Sequence, residues 1–227
     1  MPGDPDDDAP ADRGEDAPQL GWVQAEVEDE FPGLALVTIE VPCRAVRTAP
    51  WVVHRLTDLA NRITGPYALR VRQLTVPALH RAFFRQLGLD PDVRRTPLEQ
   101  AIFDRLWTGG FPPEGMPQEA LTVALLETGV AVWAVDAATL SGPLGVRGSR
   151  AGEVLGADRE PRTLAAGELV IADAERPVAR LFETPGPPFL VTGRSRRAVL
   201  YVLQVPGVPA LAVQEALSTT RKLLRIA

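Results

Sequence analysis

Residues 127–153 read ETGVAVWAVDAATLSGPLGVRGSRAGE. Within this run Val130, Val132 and Ala134 alternate with Ala131, Trp133 and Val135, and neither set is polar. A stretch apolar on both sides of a period of two predicts a strand covered on both faces. Asp136 ends the run, a short linker carries Leu140, and Ser141-Gly142-Pro143 supplies a turn before 144–147 resume an extended pattern. Polar groups therefore collect where the strands end.

Upstream, residues 20–28 set Trp22, Gln24 and Glu26 against Val23, Ala25 and Val27, the pattern of a half-buried strand. Phe31-Pro32-Gly33 turns the chain into a second strand over 34–41, stopped by Pro42. Helical spacing of Val52, Val53, Leu56, Leu59, Ala60 and Ile63 predicts a helix over 50–63 closed by Gly65-Pro66, with His54 facing solvent. Two more helices are expected, over 77–87 and from Thr96-Pro97-Leu98-Glu99 to Gly109-Gly110. In the second, Thr96 is placed to cap and Glu99 to reach back to it. A short segment over 118–126 leads into the apolar run. Downstream, strands are predicted over 169–172 and 177–182 around a turn at 173–176. Two more, over 189–192 and 198–205, flank the basic turn 193–197, and a helix over 210–224 follows.

At 227 residues and 45% hydrophobic, the chain can bury one large core, and a single domain of two sub-lobes is expected over 20–227. Charge is unevenly spread. Residues 1–19 hold seven acidic side chains and one arginine, so the remainder carries 23 basic and 22 acidic groups, a net of +1. The acidic pI belongs to that tail, which has too little apolar surface to order itself and too much acid for a secretory leader. One cysteine, Cys43, excludes an internal disulfide and fits a cytoplasmic setting. With His54 and His80 it makes too few ligands for a Cys/His zinc site, and no metal or cofactor is expected. Charges and prolines interrupt each apolar run, which argues against a membrane span. No phosphate-binding glycine loop, GxSxG elbow or HExxH is present.

FPGL at 31–34, LGLDP at 87–91, RTPLE at 95–99, and AVWAVDAATLSGPLGVR at 131–147 leading into AGE at 151–153 occur in an order that resembles one family. It is the B-three/B-four, or tRNA-binding, family: the editing domain of the phenylalanyl-tRNA synthetase beta subunit and its free-standing bacterial and archaeal relatives. The resemblance implies an α+β fold, an unusual β-sandwich with flanking helices. It also implies deacylation of a mischarged aminoacyl-tRNA, in trans, by metal-free ester hydrolysis. The pocket it implies lies where the apolar strand and its turn meet the arginine-bearing helices, near Asp136, Gly145, Arg147 and Glu153. Glu119 and Thr122 stand where free-standing relatives often carry aspartate and asparagine, and Phe182-Glu183-Thr184-Pro185 stands where they carry tryptophan, arginine and aspartate.

Each candidate has two readings. Asp136 either orients a water or binds the substrate ammonium, or it caps the turn after it. Glu153 is the second catalytic candidate. With Arg147 it forms either a pocket pair or an ordinary ion pair. Gly145 offers backbone donors to a developing oxyanion, or only turn geometry. Thr122 and His80 join Gly145 and Arg147 as substrate-binding candidates, His80 alternatively packing on the apolar side of its helix. Between residues 70 and 105 seven arginines face four acids. Arg81, Arg85, Arg94 and Arg95 are the candidates for tRNA phosphates, the alternative being a solvated face. The function expected is an aminoacyl-tRNA deacylase. Its rivals are a non-catalytic module binding tRNA or an amino-acid-like ligand, and a protein-interaction scaffold using the acidic tail. The oligomeric state stays open.

Overall fold

Apolar alternation in ALVTIEVP and RAVLYVLQ produces the two longest strands, β3 (Ala35–Pro42) and β10 (Arg197–Gln204). They pair antiparallel from Arg197 opposite Pro42 to Gln204 opposite Ala35. The computed structural model describes residues 17–155 and 161–225, so the acidic tail as far as residue 16 lies outside the described residues. β1 (Gln19–Leu20) lies on the outer edge of β3, and β4 (Trp133–Asp136) on the other side of β10. The expected strand over 130–135 is thus shorter. Val130, Ala131 and Val132 are buried, but the ladder begins at Trp133. Alternation reports burial, and a buried lead-in has the same signature as a paired strand. β3 and β10 both have neighbours on each side, and in β10 Leu200, Tyr201 and Val202 are all within 1% of full burial.

A second four-stranded sheet pairs β2 (Trp22–Val23) parallel with β5 (Gly145–Gly148), which continues antiparallel to β8 (Leu169–Ala172) and β9 (Pro177–Arg180). A separate ribbon joins β6 (Val154–Leu155) to β7 (Arg162–Thr163). Val37, Leu200 and Val202 of the first sheet and Val146, Ile171 and Val178 of the second belong to one apolar cluster. The single strand expected over 20–28 is divided three ways. Leu20 pairs in the first sheet, Trp22 in the second, and residues from 25 form α1 (Ala25–Glu30). Gly21 makes the transfer. Its N–H donates to the Leu36 carbonyl at 2.8 Å while the next N–H, on Trp22, donates to Leu144 at 3.3 Å. A Cβ at residue 21 would lie 2.5 Å from the Leu144 oxygen, so only glycine lets the chain cross between sheets there. Glu26 and Glu28 in the first turn of α1 suit the positive end of a helix, a preference that outweighs the short alternation.

The remaining helices are α2 (Pro50–Arg62), α3 (Gly65–Val71), α4 (Thr75–Gln86), α5 (Pro97–Thr108), α6 (Gln118–Thr128) and α7 (Ala210–Arg225), making a mixed α+β fold. Gly65-Pro66, expected to close α2, instead opens α3. Thr64 caps it by accepting from the Tyr67 N–H, and proline fits a first turn where no N–H is needed. α4 starts two residues before Pro77 for the same reason. α5 has the expected capping box, with Glu99 accepting from Thr96 N at 3.3 Å and from its hydroxyl at 2.9 Å, and Gly109 ends it at φ 81°. The strand expected over 189–192 is absent, and Pro187–Phe189 forms a single 3-10 turn. Among the described residues no helix is long and apolar enough to cross a membrane.

Candidate functional site

Three strands of the first sheet end at one edge. β3 finishes at Pro42 and β10 starts at Arg197 opposite it, while β4 finishes at Asp136 opposite Ala198. Past that edge the chain stays cross-bonded: Cys43 N donates to Arg196 O at 3.0 Å, and Ala45 N to Thr192 O at 2.9 Å. Side chains along the two segments alternate. Cys43 and Ser195 are buried, while Arg44, Arg194 and Arg196 are exposed. Together they line an open cleft of about 600 Å³, with Met116 at its side.

Ser195 links this cleft to Asp136. Its hydroxyl donates to Asp136 Oδ2 at 2.5 Å and accepts from Thr192 N at 2.8 Å. The other oxygen of Asp136 accepts from Ala138 N at 3.0 Å. Asp136 thus caps the following turn, as the second of its two readings expects, and also holds a serine that lines a cleft. Burial, reinforced by the nearby Asp136 carboxylate, pushes the Cys43 thiol up to about 11, so at neutral pH it is a protonated wall rather than a nucleophile. Sequence reasoning noted the basic turn at 193–197 but assigned it no role. The alternation of arginine with a small residue in Arg194-Ser195-Arg196 was the available signal.

The other candidates lie elsewhere. Gly145 and Arg147 sit in β5 of the second sheet, whereas Asp136 ends a strand of the first. A Cβ at Gly145 would fall 2.0 Å from the Trp22 ring, so that indole covers the glycine. Arg147 and Glu153 form a two-pronged ion pair, with both nitrogen–oxygen distances 2.7 Å and side chains 10% and 15% exposed. The Arg147 guanidinium, helped by the Arg150 N–H and opposed by burial, holds the Glu153 carboxyl below its ordinary range. Thr122 is half-buried in α6. His80 is 4% exposed, its Nδ1 is 2.9 Å from Val76 O, and its ring meets Phe182 edge-on. Burial outweighs that backbone bond and lowers its pKa, which keeps the imidazole neutral.

The candidate arginines are largely engaged with their neighbours. Arg81 donates to Glu99 at 2.7 Å and to Asp92 at 2.8 Å from a buried position. Arg72 reaches the same two carboxylates, and the hydrogen bond from Arg81 holds Asp92 below its usual range. Arg94 pairs with Glu183 at 2.6 Å, and the Arg95 guanidinium lies 3.9 Å from the centre of the Phe103 ring. Of the four candidates Arg85 is exposed with no hydrogen-bonded partner among the described residues.

No protein-family model matches the chain. Over 114 residues, half of this chain, it is 39% identical to the phenylalanine--tRNA ligase beta subunit of Xanthomonas campestris pv. campestris (strain 8004). Over 93 residues it is 42% identical to the subunit of the same description in Xanthomonas oryzae pv. oryzae (strain MAFF 311018). The chain spans 14% and 11% of the lengths of these relatives. Part of the chain is thus related to a synthetase beta subunit.

Proposed function

We propose that this protein binds the aminoacylated end of a mischarged tRNA and hydrolyses the ester, as a relative of the synthetase editing domain. The observation that carries this reading is the Asp136–Ser195 pair behind the wall of an open cleft, in a chain related to a synthetase beta subunit. Ester hydrolysis needs a placed water and a fixed electrostatic frame for the charges of the reacting ester. Asp136 is held by Ser195 and Ala138, so its negative charge is fixed in direction before any ligand arrives. In this role it attracts the α-ammonium of the esterified amino acid and orders the attacking water through Ser195. Arg147 and Glu153 hold the 147–153 loop, a supporting part in the same proposal.

The test is to incubate the purified protein with a panel of mischarged tRNAs. Asp136→Asn is expected to lower the rate of ester cleavage about 10²-fold, the scale of one lost preorganised electrostatic contact. Absence of cleavage above background on every tRNA would reject the hydrolase. A second reading, a non-catalytic module for tRNA or an amino-acid-like ligand, is favoured by the Trp22 ring over Gly145 and by the mutual neutralisation of Arg147 and Glu153. It predicts retention of ligand without turnover in the same assay.

A further inference from the structure

We propose that Arg44, Arg194 and Arg196 form a binding site for the phosphodiesters of a single-stranded RNA end, read by charge rather than by sequence. The proposal deepens the tRNA reading above and rests on it for the nature of the ligand. Its physical basis is separate. Three exposed guanidinium groups border one cleft, and none has a side-chain partner among the described residues. By contrast, Arg72, Arg81 and Arg94 are paired with carboxylates. Unpaired like charges brought together repel, and they contribute nothing to holding the chain folded. Such local conflicts are tolerated mainly where a ligand resolves them.

The backbone fixes where these charges sit. Arg44 lies between Cys43 and Ala45, whose N–H groups bond Arg196 O and Thr192 O. Arg194 has its own N–H tied to Thr192 Oγ1 at 3.2 Å, and Ser195 between the other two arginines is anchored to Asp136. The arginines are therefore carried on a braced pair of segments, and little ordering is left to do on binding. Guanidinium forks match phosphate oxygens two at a time, which favours phosphate over a single carboxylate. Among the described residues no aromatic ring lines the cleft, so bases have no platform on which to stack and binding falls to the phosphates. The same lack of aromatic anchors argues against a protein partner. An open cleft of about 600 Å³ has room for the end of a strand. The Asp136 carboxylate is set back behind Ser195, so phosphates are held at the rim and the negative charge meets only what enters deeper.

The experiment is fluorescence anisotropy of the full chain with a short fluorescein-labelled single-stranded RNA bearing a free 3′ hydroxyl, across a salt series. The triple variant Arg44→Gln/Arg194→Gln/Arg196→Gln is expected to bind at least about tenfold more weakly. Its slope of log affinity against log salt should be shallower by about 2, the value for three lost contacts to a single strand. Arg62→Gln is the charge control. It lies at the far end of α2, roughly 18 Å along a helix of thirteen residues from the end nearer the cleft, and should leave both quantities unchanged. The three arginines are exposed, so an unchanged melting temperature will show that the variant is folded. Wild-type affinity in the triple variant would overturn the proposal, as would an equal loss in Arg62→Gln. Equal binding of a blunt RNA duplex would refute the strand-end assignment. Complete displacement by inorganic phosphate at constant ionic strength would assign the site to free phosphate instead. RNA retained at these arginines without ester cleavage removes the hydrolase and leaves this site; cleavage with an unaffected triple variant does the reverse.

Discussion

Glu153 shows how one carboxylate organises a loop. It accepts both prongs of Arg147 and the Arg150 N–H, and the chain from 147 to 153 closes around it. Glu153→Gln leaves a nearly buried guanidinium without its counter-charge, and a loss of about 3 kcal/mol in unfolding free energy is expected from urea titration. The pH dependence follows in sign. A carboxyl held below its ordinary range contributes stability at neutral pH, and the contribution is lost as pH falls through that range toward the lower folded value. The gap between wild type and Glu153→Gln should therefore narrow on acidification. A gap that stays constant down to low pH would show that the pair is not linked to proton binding. Asp136 belongs at the same scale but to the other property: its substitution by asparagine is expected to change turnover far more than melting temperature.

Helices α4 and α5 meet through Glu99, which caps α5 while accepting from Arg81 and Arg72. Glu99→Ala removes the cap and strands Arg81 in a buried position, so its cost should reach about 3 to 4 kcal/mol, the cap contributing about 1. Asp92→Asn should cost much less, since 57% of the Asp92 side chain is exposed and solvent takes over its role. Comparable losses in the two variants would contradict the central place given to Glu99. Element identity was legible in the sequence wherever caps and breakers spoke, as in α5, with Thr96, Pro97 and Glu99 at its start and Gly109 at its end. It was not legible where a proline was read as a stop although it stood in a first turn, as Pro66 does in α3. The site was less legible still. Asp136 was singled out, but Ser195 and Cys43 reach it only because β3, β4 and β10 end together, a consequence of register that spacing along the chain does not encode. Arg81 of α4 and Arg94 ahead of α5 pair with Asp92, Glu99 and Glu183, and such pairing is tertiary, so spacing along the chain does not announce it.

For the molecule as a whole, charge is divided between an acidic tail and a body of net +1. Removing residues 1–16 takes away a net −6 and should tighten RNA binding at low salt, with the difference fading as salt screens both partners. Equal affinity of the two forms at low salt would show that the tail does not compete for the basic cleft. Gly21→Ala tests the architecture itself: an added methyl would lie 2.5 Å from the Leu144 backbone oxygen, which cannot swing aside as the neighbouring Leu36 side chain can, and a loss of about 2 to 3 kcal/mol is expected. The passage of the chain from one sheet to the other within the span from Leu20 to Trp22 also governs how the protein comes apart. Neither layer can loosen there without pulling on its neighbour, so heating should give a single calorimetric transition, and amide hydrogens bordering the seam should exchange at the rate of global opening.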